Sequence, residues 1–266
     1  MGYITSRTVP WGSQDQIIRG VSTKLKGTGH EIGLEALWRT ITCKEGASES
    51  VHVEAGHSMK TSISHSWMKD SRDDHLMPSK GGYLKIGQEF AGVLGNPFYK
   101  ASLETQYAYS PNRWISITGG MRTGGLWMFN NSRSHFMDRF YLGGPNDVRG
   151  FKVSGLGPHD GDDSLGGEAF FASGVSLFSR LPRVSPETPL RLHLFANAGS
   201  VLPLDHTNVM GTAYQLVSKP SVAAGFGLAY CYSIARFELN FSLPLIISEG
   251  EGARKGIQFG VGLSFL

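Results

Sequence analysis

Along nearly the whole chain, apolar and polar residues trade places at every second position, and turn residues interrupt the alternation at short intervals. A period of two belongs to strands with unlike faces. The run 255–266 shows it best: Ile257, Phe259, Val261, Leu263 and Phe265 fall on one face, and Gln258, Gly260, Gly262 and Ser264 on the other. Between 235 and 245, Phe237, Leu239, Phe241 and Leu243 oppose Arg236, Glu238, Asn240 and Ser242, so the charges share a face. Further back, Lys100, Ser102, Glu104 and Gln106 oppose Ala101, Leu103 and Tyr107, while His52 and Glu54 oppose Val51 and Val53. The pattern predicts about eleven strands, over 15–26, 30–42, 49–69, 82–94, 98–110, 113–127, 166–181, 188–201, 219–233, 235–246 and 256–266. Tight turns such as Ser110-Pro111-Asn112 alternate with long connections at 128–165 and 202–218.

Two antiparallel designs give such a pattern. A soluble barrel or sandwich turns its apolar residues inward, and a membrane barrel turns them to lipid around a polar lumen. Eleven strands enclose too wide a space for side chains alone to fill, and charges repeated on one face suit a wet lumen. The expected fold is therefore all-β, an antiparallel transmembrane β-barrel forming one domain over 1–266, with a long lumenal loop at about 128–165. No apolar run reaches the roughly 18 residues that a spanning helix needs, whereas a barrel strand needs only about 9 to 11, and a mean hydropathy of −0.15 accords with that. Thirty-five glycines beside 15 Phe, 9 Tyr and 5 Trp fit sheets that bend and meet a membrane interface. An odd number of strands would leave an edge unpaired in lipid, at several kcal/mol per backbone group. The expectation is thus an N-terminally truncated piece of a larger barrel.

Other functions find little support. A net charge of +3 with dispersed Lys and Arg offers no stripe for nucleic acid. Cys43 and Cys231 have no metal-type spacing, and no disulfide framework is expected. No GxSxG, HExxH or phosphate-binding glycine loop is present, and Pro158–Asp163 lacks the spacing of a calcium loop, so neither an enzyme, a cofactor nor a metal is expected. His52, His57 and His65 are spread along one predicted strand and are expected to line the lumen or the interface.

Within the long connection stands Asp138-Arg139-Phe140-Tyr141-Leu142-Gly143-Gly144-Pro145-Asn146-Asp147-Val148-Arg149-Gly150-Phe151, followed by Leu165-Gly166-Gly167-Glu168-Ala169. This resembles the hallmark of the BamA (bacterial surface antigen) superfamily, whose large loop between the eleventh and twelfth strands folds into the lumen with a VRGF or IRGF tip. The stretch 56–82 is similar to the sorting and assembly machinery branch of that family. At the terminus, Gln258, Gly260, Leu263 and Phe265 match the β-signal pattern of mitochondrial barrel proteins, which strand periodicity alone would largely reproduce. The resemblance covers about 10–266.

It implies a sixteen-stranded barrel in which the first strand here is the sixth and the POTRA domain is absent. The implied function is insertion of β-barrel precursors into an outer membrane, mitochondrial in preference to bacterial, with lipid, precursors and other assembly-complex subunits as partners and no nucleic acid. A passive pore or two-partner exporter, an inactive remnant and a soluble all-β binding protein are the alternatives. Implied roles are Arg149 as lumenal anchor, Gly150 and Phe151 as turn and wedge beside Val148, Gly143 and Gly144, and Gln258 to Phe265 as templating edge. Asn197 and Glu168 are the expected partners of Arg149, Asn197 standing where relatives often carry an acidic residue.

Overall fold

The computed structural model describes residues 2–8, 12–92, 96–130, 133–184 and 188–266. Its strands in chain order are β1 (Gly2–Thr8), β2 (Gln14–Lys26), β3 (His30–Cys43), β4 (Gly56–Asp70), β5 (Gly81–Ala91), β6 (Phe98–Asn112) and β7 (Ile115–Met128), then two-residue β8 (His159–Asp160) and β9 (Asp163–Ser164) inside the long connection. There follow β10 (Ala169–Arg180), β11 (Leu190–Leu202), β12 (Ser221–Tyr232), β13 (Ala235–Ile246) and β14 (Gly256–Gly262), with helices α1 (Glu49–Glu54) and α2 (Val209–Ser218). Apart from β8 and β9, every strand joins one sheet in the order β1 to β7 and then β10 to β14. All neighbours are antiparallel.

The sheet is inside out relative to a soluble protein. On β13, Leu239 is 49% exposed while its neighbour Glu238 is fully buried at 0%. Leu192, Leu194, Phe226, Ile257 and Phe259 likewise point away from the lumen, and Arg236, Asn240, His193 and Ser176 are buried within it. Apolar residues outside and hydrogen-bonded polar residues inside are the membrane-barrel arrangement. Aromatic residues ring the outer face, Tyr99 beside Trp127 near one rim and Tyr230 beside Tyr232 near the other, as interfacial girdles do. No helix is long and apolar enough to cross a membrane among the described residues.

The rims differ. One carries the connections 44–55, 92–97, 129–168, 203–220 and 247–255, and the other carries tight turns at 27–29, 113–114 and 233–234, with the folded segment 71–80 as an exception to them. From that exception the Leu76 carbonyl accepts from Arg236 Nη1 at 2.9 Å, joining the β4–β5 turn to β13 across the lumen. The long connection turns inward and supplies a core within the barrel, where Leu142, Val148, Phe151 and Leu156 pack against Phe170, Ala172, Val201, Ala223 and Leu266. Burying each large apolar side chain of this plug contributes about 1.5 to 3 kcal/mol.

Three sequence expectations change. The sheet has twelve strands, because Gly2–Thr8 pairs with β2. Five strands follow the long loop, as the resemblance implies, but seven precede it, so in that register the first strand is the fifth and not the sixth. Second, 49–54 is a helix. Alternation over six residues does not distinguish a strand from a helical turn whose Val51 packs on Ile41 and Phe136, and Asp160 takes the Ser50 N–H at 3.2 Å while Asp163 takes that of Ser48 at 2.9 Å. His52 therefore leaves the strand that carries His57 and His65; those two share the outward face of Met59 and Ile63 rather than lining the lumen. Third, pairing of the last strand ends at Gly262, and Phe265 leaves the outer apolar face to lie buried in the lumen.

Candidate functional site

The inward loop is fastened at two places, on opposite stretches of the wall. Its base is the short 3-10 turn Phe136–Asp138, where the His135 ring accepts from the Met137 N–H. Asp138 is buried and receives Arg39 Nη1 of β3 at 2.7 Å and Lys60 Nζ of β4 at 2.9 Å. Lys60 is shared with Glu89 of β5 at 2.7 Å, and Lys100 of β6 donates to the Asp138 carbonyl at 2.6 Å. Burial disfavours the Asp138 carboxylate, but Lys60 and Arg39 outweigh that and hold its carboxyl below the usual range. Burial, aided by Arg39, pushes the neighbouring His135 imidazole down to about 4.

The tip is Val148-Arg149-Gly150-Phe151. Arg149 Nε donates to Glu238 Oε2 of β13 at 3.0 Å, its Nη2 lies 3.0 Å from the same oxygen, and Nη1 donates to the Leu266 carbonyl at 3.1 Å. Its guanidinium also stands 5.0 Å from the Phe195 ring and 5.7 Å from that of Phe265, within cation–π range. Glu238 is satisfied from every side: Arg236 donates through Nε at 2.8 Å and through Nη2, and Asn240 Nδ2 donates at 2.7 Å. Asn240 in turn meets His193 Nδ1 at 3.0 Å, whose Nε2 meets Ser176 Oγ at 2.9 Å. A buried carboxylate between two guanidiniums survives desolvation only with such complete pairing.

Backbone geometry presents that arginine. Gly150 adopts φ +87, and a Cβ there would lie 2.7 Å from that of Ala223, so the tight approach to β12 admits only glycine. Gly143 and Gly144 also have positive φ, +111 and +120, where Asp147 accepts the Gly143 N–H at 2.9 Å and also pairs with Arg122 of β7. Val148 and Phe151 are buried on either side of the tip.

The tip also touches the last strand directly. Gln258 of β14 accepts the Gly150 N–H at 2.8 Å and donates to the Phe151 carbonyl at 3.0 Å. Asn146 donates to the Val261 carbonyl at 2.7 Å, and Pro145 and Asn146 press on the bare face of Gly260. After Gly262 the chain bends at Leu263, which stays outward, and drops inside, where Phe265 lies 4.2 Å from the Arg236 guanidinium. Among the described residues β14 pairs with β13 alone.

Val148, Arg149, Gly150, Phe151, Gln258, Gly260 and Phe265 thus come together in the lumen, with Gly143 and Gly144 shaping the approach, whereas Leu263 points outward. The carboxylate partner of Arg149 is Glu238, not Glu168 or Asn197. Glu168 accepts from the Leu204 N–H at 3.2 Å at the rim. The Asn197 amide, in the orientation that satisfies both its ends, accepts the Arg149 backbone N–H and donates to the Ala223 carbonyl at 3.0 Å. It steadies the tip's backbone, not its charge. Sequence reasoning missed Glu238, although the acid stands on the polar face of a strand already recognised. It also missed Arg39, Lys60 and Asp138, which no local signal joins.

Comparison with known proteins places this geometry. Residues 14–265 match the Omp85 superfamily domain. A SAM50-like protein of Schizosaccharomyces pombe is 39% identical over 96% of this chain and 56% of its own length. The sorting assembly machinery 50 kDa subunit of Saccharomyces cerevisiae is 38% identical over 89% of this chain and 51% of its own. The chain therefore spans about half the length of these curated relatives. Among solved structures, BamA of Haemophilus ducreyi lacking POTRA domains 1–3 superposes with a TM-score of 0.78, covering 98% of this chain and 57% of that one at 15% identity, a likeness of fold.

Proposed function

This chain belongs to the Omp85 superfamily, and from that premise we propose that it acts in the mitochondrial outer membrane as the templating part of a machine that inserts β-barrel precursors. No covalent bond is made or broken in this function, which is therefore not enzymatic. Its partners are lipid, precursor proteins and the other subunits of an assembly complex.

The observation that carries the proposal is the last strand. β14 is only seven residues long, is bonded on one side, and has Gln258 tied to the loop tip behind it. An open edge presents a row of N–H and C=O groups on which an incoming strand can form a ladder, main-chain bonds giving affinity and alternate side chains giving choice. The edge runs over Gly256–Gly262 and not to Phe265, since the chain leaves the sheet at Leu263. The loop supplies rigidity: with Gln258, Gly260 and Val261 held from the lumen side, the edge keeps its register while a partner strand adds. Templating needs an edge that keeps its order while its partner changes, and the contacts behind β14 supply that order.

Cysteine pairing tests the reading. Single cysteines at Ile257, Phe259 or Val261 in the full-length protein, opposed to cysteines along the last strand of a newly imported barrel precursor, are expected to form register-specific disulfides during assembly. Crosslinks scattered without register, or absent from β14, would overturn it.

A further inference from the structure

Helix α2 sits on the outside of the barrel wall. Its inner face is short: Leu216 is buried in a cluster with Ala169 and Leu204, against which Trp127, Phe171 and Leu202 pack. By the alternation of their strands these wall residues face outward. Ala169 and Phe171 share the face of Val175, which is exposed, and Leu202 shares that of Leu192 and Leu194. Trp127 stacks with Tyr99 in the aromatic girdle of the long-loop rim, with ring centroids 5.8 Å apart. The helix therefore lies at the height of the interfacial girdle, against the surface that meets lipid.

Its remaining circumference is divided. Met210, Ala213, Tyr214 and Val217 follow the i, i+3, i+4, i+7 spacing of an apolar helical stripe, yet this stripe points away from the wall, with Met210, Tyr214 and Val217 exposed by 82%, 74% and 60%. Gly211, Gln215 and Ser218, at i, i+4 and i+7, form a separate polar flank. The helix is firmly started and stopped: Asn208 accepts the Gly211 N–H at 2.8 Å, and Pro220 follows the Lys219 cap. So one face rests on the barrel, one is apolar and free, and one is polar.

We propose that α2 is an interfacial membrane helix, its Met210–Tyr214–Val217 stripe immersed at the boundary of headgroups and acyl chains and its Gln215–Ser218 flank turned to water. A stripe continuous with the lipid-facing wall and level with its aromatic girdle is covered by the same bilayer that covers the wall. A phenol beside aliphatic groups suits that boundary, where a ring stays apolar and its hydroxyl wet. The helix then fixes the height of the β10–β11 wall in the bilayer.

The test uses the full-length protein with Cys43→Ala and Cys231→Ala, carrying Met210→Cys, Tyr214→Cys, Val217→Cys, Gln215→Cys or Ser218→Cys one at a time. Each is labelled with an NBD fluorophore and reconstituted in vesicles of phosphatidylcholine and phosphatidylethanolamine, with heat-modifiable gel migration verifying the folded barrel. Labels on the three stripe positions are expected to be blue-shifted, to lose fluorescence to lipids carrying a nitroxide near the headgroup, and to resist aqueous iodide, with the reverse at Gln215 and Ser218. Stripe labels as open to iodide as the flank labels overturn the proposal. Stripe labels that become protected only when partner subunits are added overturn it too, since the covering would then be protein.

Discussion

The two fastenings of the inward loop are built on opposite plans. At the tip, one carboxylate, Glu238, gathers Arg149, Arg236 and Asn240, and every charge comes from an always-ionised arginine or a fully paired acid. At the base, one carboxylate, Asp138, gathers Arg39 and Lys60 beside a histidine whose imidazole is pushed down to about 4. The tip is a fixed pin against the last two strands, while the base is a clasp on the third and fourth, with one member that can change charge. A loop held this way ties the wall next to the last strand to the wall far from it. Its stiffness is then passed to β14 through Gln258.

If the tip is the stronger fastening, Arg149→Ala has the largest effect. It removes the charge-assisted bonds to Glu238 and to the Leu266 carbonyl, at about 1.5 to 3 kcal/mol each, while Arg236 and Asn240 keep Glu238; the loss is read as a lower midpoint of denaturant unfolding for the folded barrel. Asp138→Ala takes the carboxylate from Arg39 but leaves Lys60 with Glu89 and Lys100 with the main-chain carbonyl, and is expected to do less, about 3 kcal/mol, the low end for a stranded buried charge; an equal or larger loss would invert the comparison. Gly150→Ala strains the φ +87 turn against Ala223, at about 1 to 3 kcal/mol, and should expose the tip to protease while Phe136–Asp138 stays protected. Gln258→Leu removes two hydrogen bonds to the tip's main chain, about 1 to 2 kcal/mol, and amide exchange at Gly150 should rise.

Acidification acts on the base alone. The His135 value is depressed from 6.5 to about 4 in the docked loop, so the free loop binds the proton more readily. Docking is therefore fully favourable above about 6.5 and weakens as pH falls toward 4. Asp138, held below its usual 3.8, adds its own loss only at lower pH still. Amide protection of the Phe136–Asp138 turn should drop across that window and return on neutralisation, and His135→Asn should abolish the dependence.

Much of this was legible in the chain because alternation survives wherever one face meets lipid and the other a packed lumen. The strands from Gln14 to Gly262 follow it, and VRGF marks the tip because a tight glycine turn and a forked cation leave a local trace. Glu238 left a weaker one, a single acid on a polar face. Asp138, Arg39 and Lys60 left none that joined them, since they are 78 and 99 residues apart along the chain and meet only when the loop turns in. Phe265 misled for a physical reason: its alternation continues past the point where pairing stops, and a residue beyond the last ladder bond is no longer bound to the face its parity assigns. Helix α1 shows the same limit, because six alternating residues satisfy a strand and a short amphipathic turn alike.

In the proposed function the loop tip holds the last strand in the register that templates an incoming one. The most direct measurement follows assembly of a newly imported β-barrel precursor by mitochondria whose full-length protein carries Arg149→Ala, at protein levels matched to the unsubstituted form, with register-specific disulfides between Phe259→Cys and the precursor's last strand scored in the same samples. Assembly is expected to fall and the disulfides to lose their register together. Normal assembly with register intact, at equal protein level, would contradict it.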